Sequence, residues 1–384
     1  MEPLTPGGDK SDRNLFPFLA RMEILPEWEA AARLFLKAGG PVMVLGAPDT
    51  GKSTLSRYLL YRAFTAGLPA ALVDLDLGQS HLGPPGALGL GLYPPRLPGD
   101  DSLFPDGLWF VGQTSPVGAI LEVSVGCRVL ADEAARRGRR HLVVNTSGLV
   151  AGPGAWRLKK AQLELLQPSL LLALDREGEL TPLLRGLVGK EADETAPPKT
   201  EDRRPKTLPI RLPVSSRITR RSPEDRRRYR EERFRRYFHQ GRRLSLPWPG
   251  LVWEGQPWGL GEPLAAPELA DWSRRLGVPA LCGERQRRVF LLLQDPPPEH
   301  RRDALLDHPQ GEPVHWISWT GLHLRLAGLL DAGHRTLALG IILPGPWDPQ
   351  SLALWTPMPP QLTPQVQFIK LGKMKLTPEG RELI

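Results

Sequence analysis

The 384-residue sequence predicts an α/β protein in which a mostly parallel sheet with helices on both faces is followed by a β-rich C-terminal domain. Three observations predict it. Short, continuously apolar runs alternate with stretches of helical spacing through the first half of the chain, the pattern of a parallel sheet covered on both sides. A glycine-rich loop stands between the first such run and the helix after it. Past Leu244 the text becomes rich in Trp and Pro, with short β-like runs.

The elements follow in order. After a polar leader over residues 1–25, Pro26 to Ala38 sets Trp28, Ala31, Leu34 and Phe35 at helical spacing, and Gly39-Gly40 ends the helix. Val42-Met43-Val44-Leu45 reads as a strand buried on both faces, and Ser53 to Phe64 as the helix it feeds. Further strands are expected at Ala70 to Val73, Leu108 to Val111, Leu142 to Val144 and Leu170 to Leu174, with a long helix from Val117 to Arg137 closed by Gly138. Residues 189–213 read as a mobile insertion, because a run of Lys, Glu, Asp, Thr and Pro buries too little apolar surface to offset chain entropy. A second strong helix signal follows, with Ser222 as N-cap, Pro223 in the first turn, Glu224 and Asp225 beside it, and Gly241 beyond an end near His239. The first domain is thus placed at 26–243, including an arginine-rich segment at 214–243, and the second at 244–384. In the second, Val289 to Leu293, Val314 to Trp319, Leu337 to Leu343 and Gln367 to Leu371 are the expected strands, with Trp316 and Trp319 in the core.

Composition narrows the function classes. At 41% hydrophobic and 24% charged residues, chain-wide disorder and fibrous repeats are excluded. No apolar run approaches the roughly 18 to 20 residues of a membrane helix, and Met1 to Arg13 contains nothing like a signal peptide, so a cytoplasmic protein with no membrane partner is expected. Two cysteines, Cys127 and Cys282, support neither a disulfide framework nor a cysteine-only zinc site and are expected as buried thiols. The histidines fall into no zinc pattern. The formal charge of +8 is unevenly spread: Glu201 to Arg243 holds 16 basic and 6 acidic residues, net +10, leaving 34 basic and 36 acidic elsewhere, net −2. A phosphate-rich partner is therefore compatible with one segment above all.

The most specific motif is Gly46-Ala47-Pro48-Asp49-Thr50-Gly51-Lys52-Ser53-Thr54, which satisfies the phosphate-loop pattern G-x-x-x-x-G-K-[ST] and sits between a strand and a helix as that pattern requires. Its glycines let successive N–H groups turn toward phosphate oxygens, and the helix N-terminus adds partial positive charge. Lys52 is expected on the β- and γ-phosphates of ATP and Ser53 on Mg²⁺. Ala70 to Val73 then delivers Asp74-Leu75-Asp76-Leu77-Gly78-Gln79 at the carboxyl end of a neighbouring strand, where ligands bind in open α/β sheets. If the strand ends there, one aspartate can serve the metal and the other an acceptor; the plainer alternative is that one caps a turn. Arg226 and Arg230 share a helix face, and Arg221 precedes its first turn, so the three can converge on one anion. Most of the other arginines read as a solvated basic face.

Together these residues resemble the P-loop polynucleotide 5′-hydroxyl kinase family, whose eukaryotic members act in tRNA splicing, mRNA 3′-end formation and ribosomal RNA processing. The resemblance rests on the loop itself, on Asp74 to Gln79 with Pro85-Gly86, on Gly112-Gln113-Thr114-Ser115-Pro116 as the clasp, on Asn145-Thr146-Ser147-Gly148 with Gly152-Pro153-Gly154, on Arg221 to Phe238 as the lid, and on Ala327 to Asp331 with Leu339-Gly340-Ile341 in the C-terminal domain. It implies a P-loop NTPase fold and γ-phosphoryl transfer from ATP, with Mg²⁺, to the 5′-hydroxyl end of RNA or DNA. By that resemblance Asp76 is the general base, Asp74 belongs to the Mg²⁺ shell directly or through water, and Gln79, Thr114 and Ser115 contact the acceptor. Lys52, Arg221, Arg226 and Arg230 complete the catalytic set. One departure is plain: Leu149 stands where the family commonly has a tryptophan that stacks on the acceptor base, leaving Trp156, Trp109 or Tyr93 as candidate substitutes. That departure keeps a second reading open, an ATP-binding scaffold of an RNA-processing complex without transfer. A small-metabolite kinase is disfavoured because a net +10 segment exceeds what a small acceptor needs.

Overall fold

A computed structural model of the protein describes residues 22–93, 105–189, 209–247, 251–254, 258–305 and 314–383. Most of the expected leader, and the expected insertion from 190 to 208, lie outside the described residues. The chain divides into two compact units, Met1–Arg230 and Glu231–Ile384.

In the first unit, helix α1 (Pro26–Ala38) leads into β1 (Gly40–Gly46), α2 (Lys52–Thr65) and β2 (Ala70–Asp74). Then come β3 (Ala87–Tyr93), β4 (Gly107–Phe110), α3 (Ile120–Arg136), β5 (His141–Asn145), α4 (Gly152–Leu166), β6 (Leu170–Leu174), α5 (Thr181–Val188) and β7 (Pro209–Leu212). The sheet runs β4-β3-β2-β5-β1-β6-β7. Its five strands from β2 to β7 are parallel, whereas β3 and β4 add an antiparallel edge. The central strands are apolar at nearly every position because both faces are covered. Trp28 and Phe35 of α1 and Leu55 and Leu59 of α2 pack on Val42, Val44 and Leu72 on one face. Val123, Cys127 and Leu130 of α3 and Leu158 of α4 pack on Ala71, Val73 and Leu90 on the other, with α5 covering Met43 and Leu45.

Two expectations are corrected here. The composition of 189–213 predicts an insertion throughout, but Pro209–Leu212 pairs in parallel with β6 and closes the sheet. Four residues flanked by polar text carry too weak a pattern to register as a strand. The strand Ala87–Tyr93 goes beyond the sequence's expectations, because its glycines obscure an alternation of Leu88, Leu90 and Leu92. A Cβ at Gly89 would lie 2.7 Å from Leu82 atoms, so the glycine marks close packing and not a break in the strand.

The helix α6 (Pro223–Phe238) spans the division between the units, with residues 223–230 in the first and 231–238 in the second. The second unit holds β8 (Arg242–Pro247), β9 (Val252–Glu254), β10 (Glu262–Pro263), α7 (Ala266–Leu276), β11 (Ala280–Arg285), β12 (Val289–Leu293), β13 (Val314–Ser318) and α8 (Trp319–Leu322). It ends with β14 (Arg325–Leu330), β15 (Thr336–Ile342), β16 (Ser351–Thr356), β17 (Phe368–Leu376) and β18 (Glu382–Leu383). These form a sheet of order β18-β17-β14-β15-β16-β8, with β9 beside β17, and a second sheet of order β10-β11-β12-β13. Trp319 is buried as expected but opens a helix after β13, which ends at Ser318. No helix among the described residues is long and apolar enough to cross a membrane.

Candidate active site

The site lies beyond the carboxyl ends of β1, β2 and β5. Gly51 takes a φ of 91° at the start of α2, a left-handed conformation that glycine adopts without strain, and a Cβ there would also lie 2.6 Å from Ile218. The loop is braced from within, since Thr50 Oγ1 donates to Ala47 O at 2.9 Å and Lys52 Nζ to the same oxygen at 2.6 Å. Lys52 is 6% exposed, and burial pushes its pKa down, against the attraction of Asp76, Asp49 and Asp74. An ammonium held in so dry a place gains strongly from an incoming phosphate.

A cavity of about 600 Å³ opens over this loop. Its walls include Pro48 to Thr54, then Asp76 and Gln79, then Thr114 and Ser115, then Leu149, and finally Arg221, Arg226 and Arg230. Every residue expected to touch ATP's phosphates, the acceptor or the transferring group therefore lines one cavity, except Gly46 and Ala47; Asp74, expected in the metal shell, does not line it either.

The two aspartates separate because β2 stops at Asp74. Asp74 is fully buried: its Oδ1 accepts from Asn145 Nδ2 at 3.0 Å and from Asp76 N at 3.2 Å, and its Oδ2 accepts from His81 N at 2.7 Å and Ser80 Oγ at 3.2 Å. Burial pushes its pKa up; the electrostatic attraction of His81 opposes that shift, and the charge of Asp76 adds to it. Asp76 lies past the strand end and lines the cavity, its Oδ1 accepting from the Gly78 and Gln79 N–H groups at 3.1 and 3.0 Å. Those bonds fix one oxygen and orient the carboxylate.

The arginines approach from Ile218 onward. Asp49, at a φ of 56° inside the loop, accepts from Arg226 Nη2 at 2.7 Å and from Arg221 N at 3.0 Å. Burial works against its charge, but these bonds hold the Asp49 carboxyl below the usual range. Arg221 Nη1 donates to Gln79 Oε1 at 3.1 Å, Gln79 Nε2 to Arg226 O at 3.3 Å, and Tyr229 Oη to Ser80 O at 3.0 Å. The first half of α6 is thereby tied to both the loop and the segment carrying Asp76.

Several site residues have roles that no sequence signal shows. Asn145 opens a motif that the sequence does single out, but its role is not readable there: it bridges Ser53 and Asp74, partners from two other elements. Lys159 is fully buried, its Nζ donating to Ser147 O at 2.8 Å, and burial and the like charge of Lys52 push its pKa down to about 7. Of the candidate stacking groups, Trp109 packs over Gly126 and Trp156 donates to Gly186 O at 2.9 Å; neither they nor Tyr93 line the cavity. Among the described residues the aromatic ring that does is His81, 6.2 Å from the Tyr229 ring.

The chain is similar to known proteins in sequence and in fold. The model of the family described as mRNA cleavage and polyadenylation factor CLP1 P-loop matches residues 46–240, just over half of the chain. The chain is 27% identical over 348 residues to a polyribonucleotide 5′-hydroxyl-kinase of Pyrococcus horikoshii, covering 91% of this chain and 89% of that protein. A second relative of the same name, from Thermococcus kodakarensis, is 28% identical over 347 residues, covering 89% and 90%. Over 220 residues it is 32% identical to the Clp1 polyribonucleotide 5′-hydroxyl-kinase of Bos taurus, covering 54% of this chain and 47% of that one. Its fold is similar to that of a solved wild-type Clp1p–Pcf11p complex, with a TM-score of 0.57 at 13% identity, covering 91% of this chain and 77% of that one.

Proposed function

The chain belongs to the mRNA cleavage and polyadenylation factor CLP1 P-loop family, and from that premise we propose that it is an ATP-dependent polynucleotide 5′-hydroxyl kinase, cytoplasmic and acting on RNA or DNA ends. The observation that carries the reading is the single cavity of about 600 Å³ shared by the phosphate loop, Asp76 and three arginines. Relatives named as kinases over some nine-tenths of the chain weigh against a scaffold that has lost transfer.

The residues divide the work. The loop's N–H groups and the start of α2 receive the phosphates, and Lys52 turns from Ala47 O to the β- and γ-oxygens. Asp76, oriented by two N–H groups, takes the proton of the 5′-hydroxyl as that oxygen attacks the γ-phosphorus and the bond to ADP breaks. Arg221, Arg226 and Arg230 offset the charge on the transferring group. For Arg226 this means exchanging the Asp49 carboxylate for phosphate. Gln79, Thr114 and Ser115 contact the acceptor's terminal nucleotide, and Leu149 packs on its base without the stack a tryptophan gives.

The donor set also fits Mg²⁺, which binds few protein oxygens and keeps several waters. Ser53 Oγ is the direct protein ligand in this proposal, and Asp74 acts through water, because it is fully buried and both its oxygens already accept hydrogen bonds. When bound, the ion neutralises charge on the β- and γ-phosphates.

The reading is tested by ADP release. A 5′-hydroxyl oligonucleotide should stimulate it, and the same oligonucleotide bearing a 5′-phosphate should not. Equal ADP release with both would mean hydrolysis on a scaffold, and stimulation by free nucleosides would point to a small-metabolite kinase.

A further inference from the structure

Building on the kinase reading, we propose that Asn145 is a positioning residue for the metal-bound nucleotide. Its Nδ2 sets the Ser53 hydroxyl and the Asp74 carboxylate, and its Oδ1 accepts a hydrogen bond from a water of the Mg²⁺ shell.

The placement follows from the topology. Asn145 is the last residue of β5, the strand between β2 and β1, and in register it stands beside both Asp74 and Val44. It thus lies between the two strands that feed the site. Its Nδ2 donates to Ser53 Oγ at 3.2 Å and to Asp74 Oδ1 at 3.0 Å. The direction of the amide is fixed by its neighbour, since turning it over would set Oδ1 against the Asp74 carboxylate.

The remaining oxygen is the telling atom. Asn145 is 1% exposed, and its Oδ1 has no hydrogen-bond partner among the described residues. Buried carbonyl oxygens are nearly always satisfied, so an orphan at a site points to a ligand group that completes it. This one shares its amide with the nitrogen that touches both Ser53 and Asp74, the residues fitted to the ion. An ion that keeps its waters needs acceptors around them, and groups in that outer layer hold the inner one in place.

The test is ATP binding, measured by calorimetry with Mg²⁺ and with EDTA, in the full chain. For Asn145→Ala, the Mg²⁺-dependent gain in ATP affinity should fall at least about tenfold, while affinity in EDTA stays within about twofold. An unchanged Mg²⁺ gain, or equal losses with and without Mg²⁺, would overturn the proposal, the latter by marking a merely structural role. If the alanine variant does not fold, Asn145→Thr decides the same question, because its hydroxyl can bond to Asp74 but supplies no amide oxygen. A wild-type protein whose ATP affinity ignores Mg²⁺ overturns this inference and leaves phosphoryl transfer to be judged separately. Loss of the Mg²⁺ gain in the variant, in a protein that transfers no phosphate, upholds this inference and sinks the kinase reading.

Discussion

Lys159 shows how a single side chain gains its character from packing alone. On α4 it is one of two adjacent lysines, and the other, Lys160, makes an ordinary surface pair with Glu164. Lys159 is fully buried, bonded to the Ser147 oxygen, and pushed down to about 7 by burial and by Lys52. Unfolded, it would hold its proton up to its ordinary pKa of 10.5; folded, it releases it near 7. Its charge is therefore a penalty that is complete below pH 7 and fades as pH rises toward 10. Denaturant titrations should show wild-type stability gaining on Lys159→Met across pH 7 to 10, with a slope difference approaching about 1.4 kcal/mol per pH unit at most and fading out below about pH 6. A parallel pair of pH profiles would contradict the assignment. None of this was legible from adjacent lysines in a helix, whereas Lys52, Ser53 and Asp76 were, because spacing in a motif identifies them without knowledge of their neighbours.

At the scale of elements, α6 joins two environments. Its first half bears the arginines that meet Asp49 and Gln79, and its second half is rooted in the second unit by Phe234, Tyr237 and Phe238, all at most 1% exposed. So buried, Phe234 and Phe238 serve as anchors of the helix and not as base-stacking groups. Tyr237 Oη accepts from Leu339 N at 3.0 Å, and burial pushes the phenol's pKa far up. Tyr237→Phe leaves the Leu339 N–H unpaired and should cost about 1 to 3 kcal/mol in chemical denaturation; no loss would mean the bond is replaced. If the arginines meet the acceptor's backbone, oligonucleotide binding must weaken with salt. Replacing one exposed arginine of the same helix by glutamine, Arg228→Gln for example, should then flatten the log–log salt slope by about 0.7 for a single strand. An unchanged slope would remove that arginine from the backbone contacts. Elements with strong periodicity, such as α1, α3 and the strands of the sheet centre, were legible in the sequence. The strands Ala87–Tyr93 and Pro209–Leu212 were not, because glycine packing in one and brevity in the other carry no distinctive local pattern.

For the whole molecule, the charge arithmetic and the fold meet in one place. The net +10 segment contains the helix that brings Arg221, Arg226 and Arg230 to a cavity floored by the phosphate loop, while the rest of the chain is close to neutral. The second unit has its own core, built around Trp253, Leu329 and Ile369. The measurement that bears most directly on the kinase reading is transfer of labelled γ-phosphate from ATP to matched 5′-hydroxyl RNA and DNA oligonucleotides, with Lys52→Ala and Asp76→Asn in parallel. Label should appear on the 5′ end and be lost in Lys52→Ala, and Asp76→Asn should slow transfer by about 10² to 10⁴ while still binding ATP. ATP binding with no label on any oligonucleotide, or full transfer by Asp76→Asn, would contradict it.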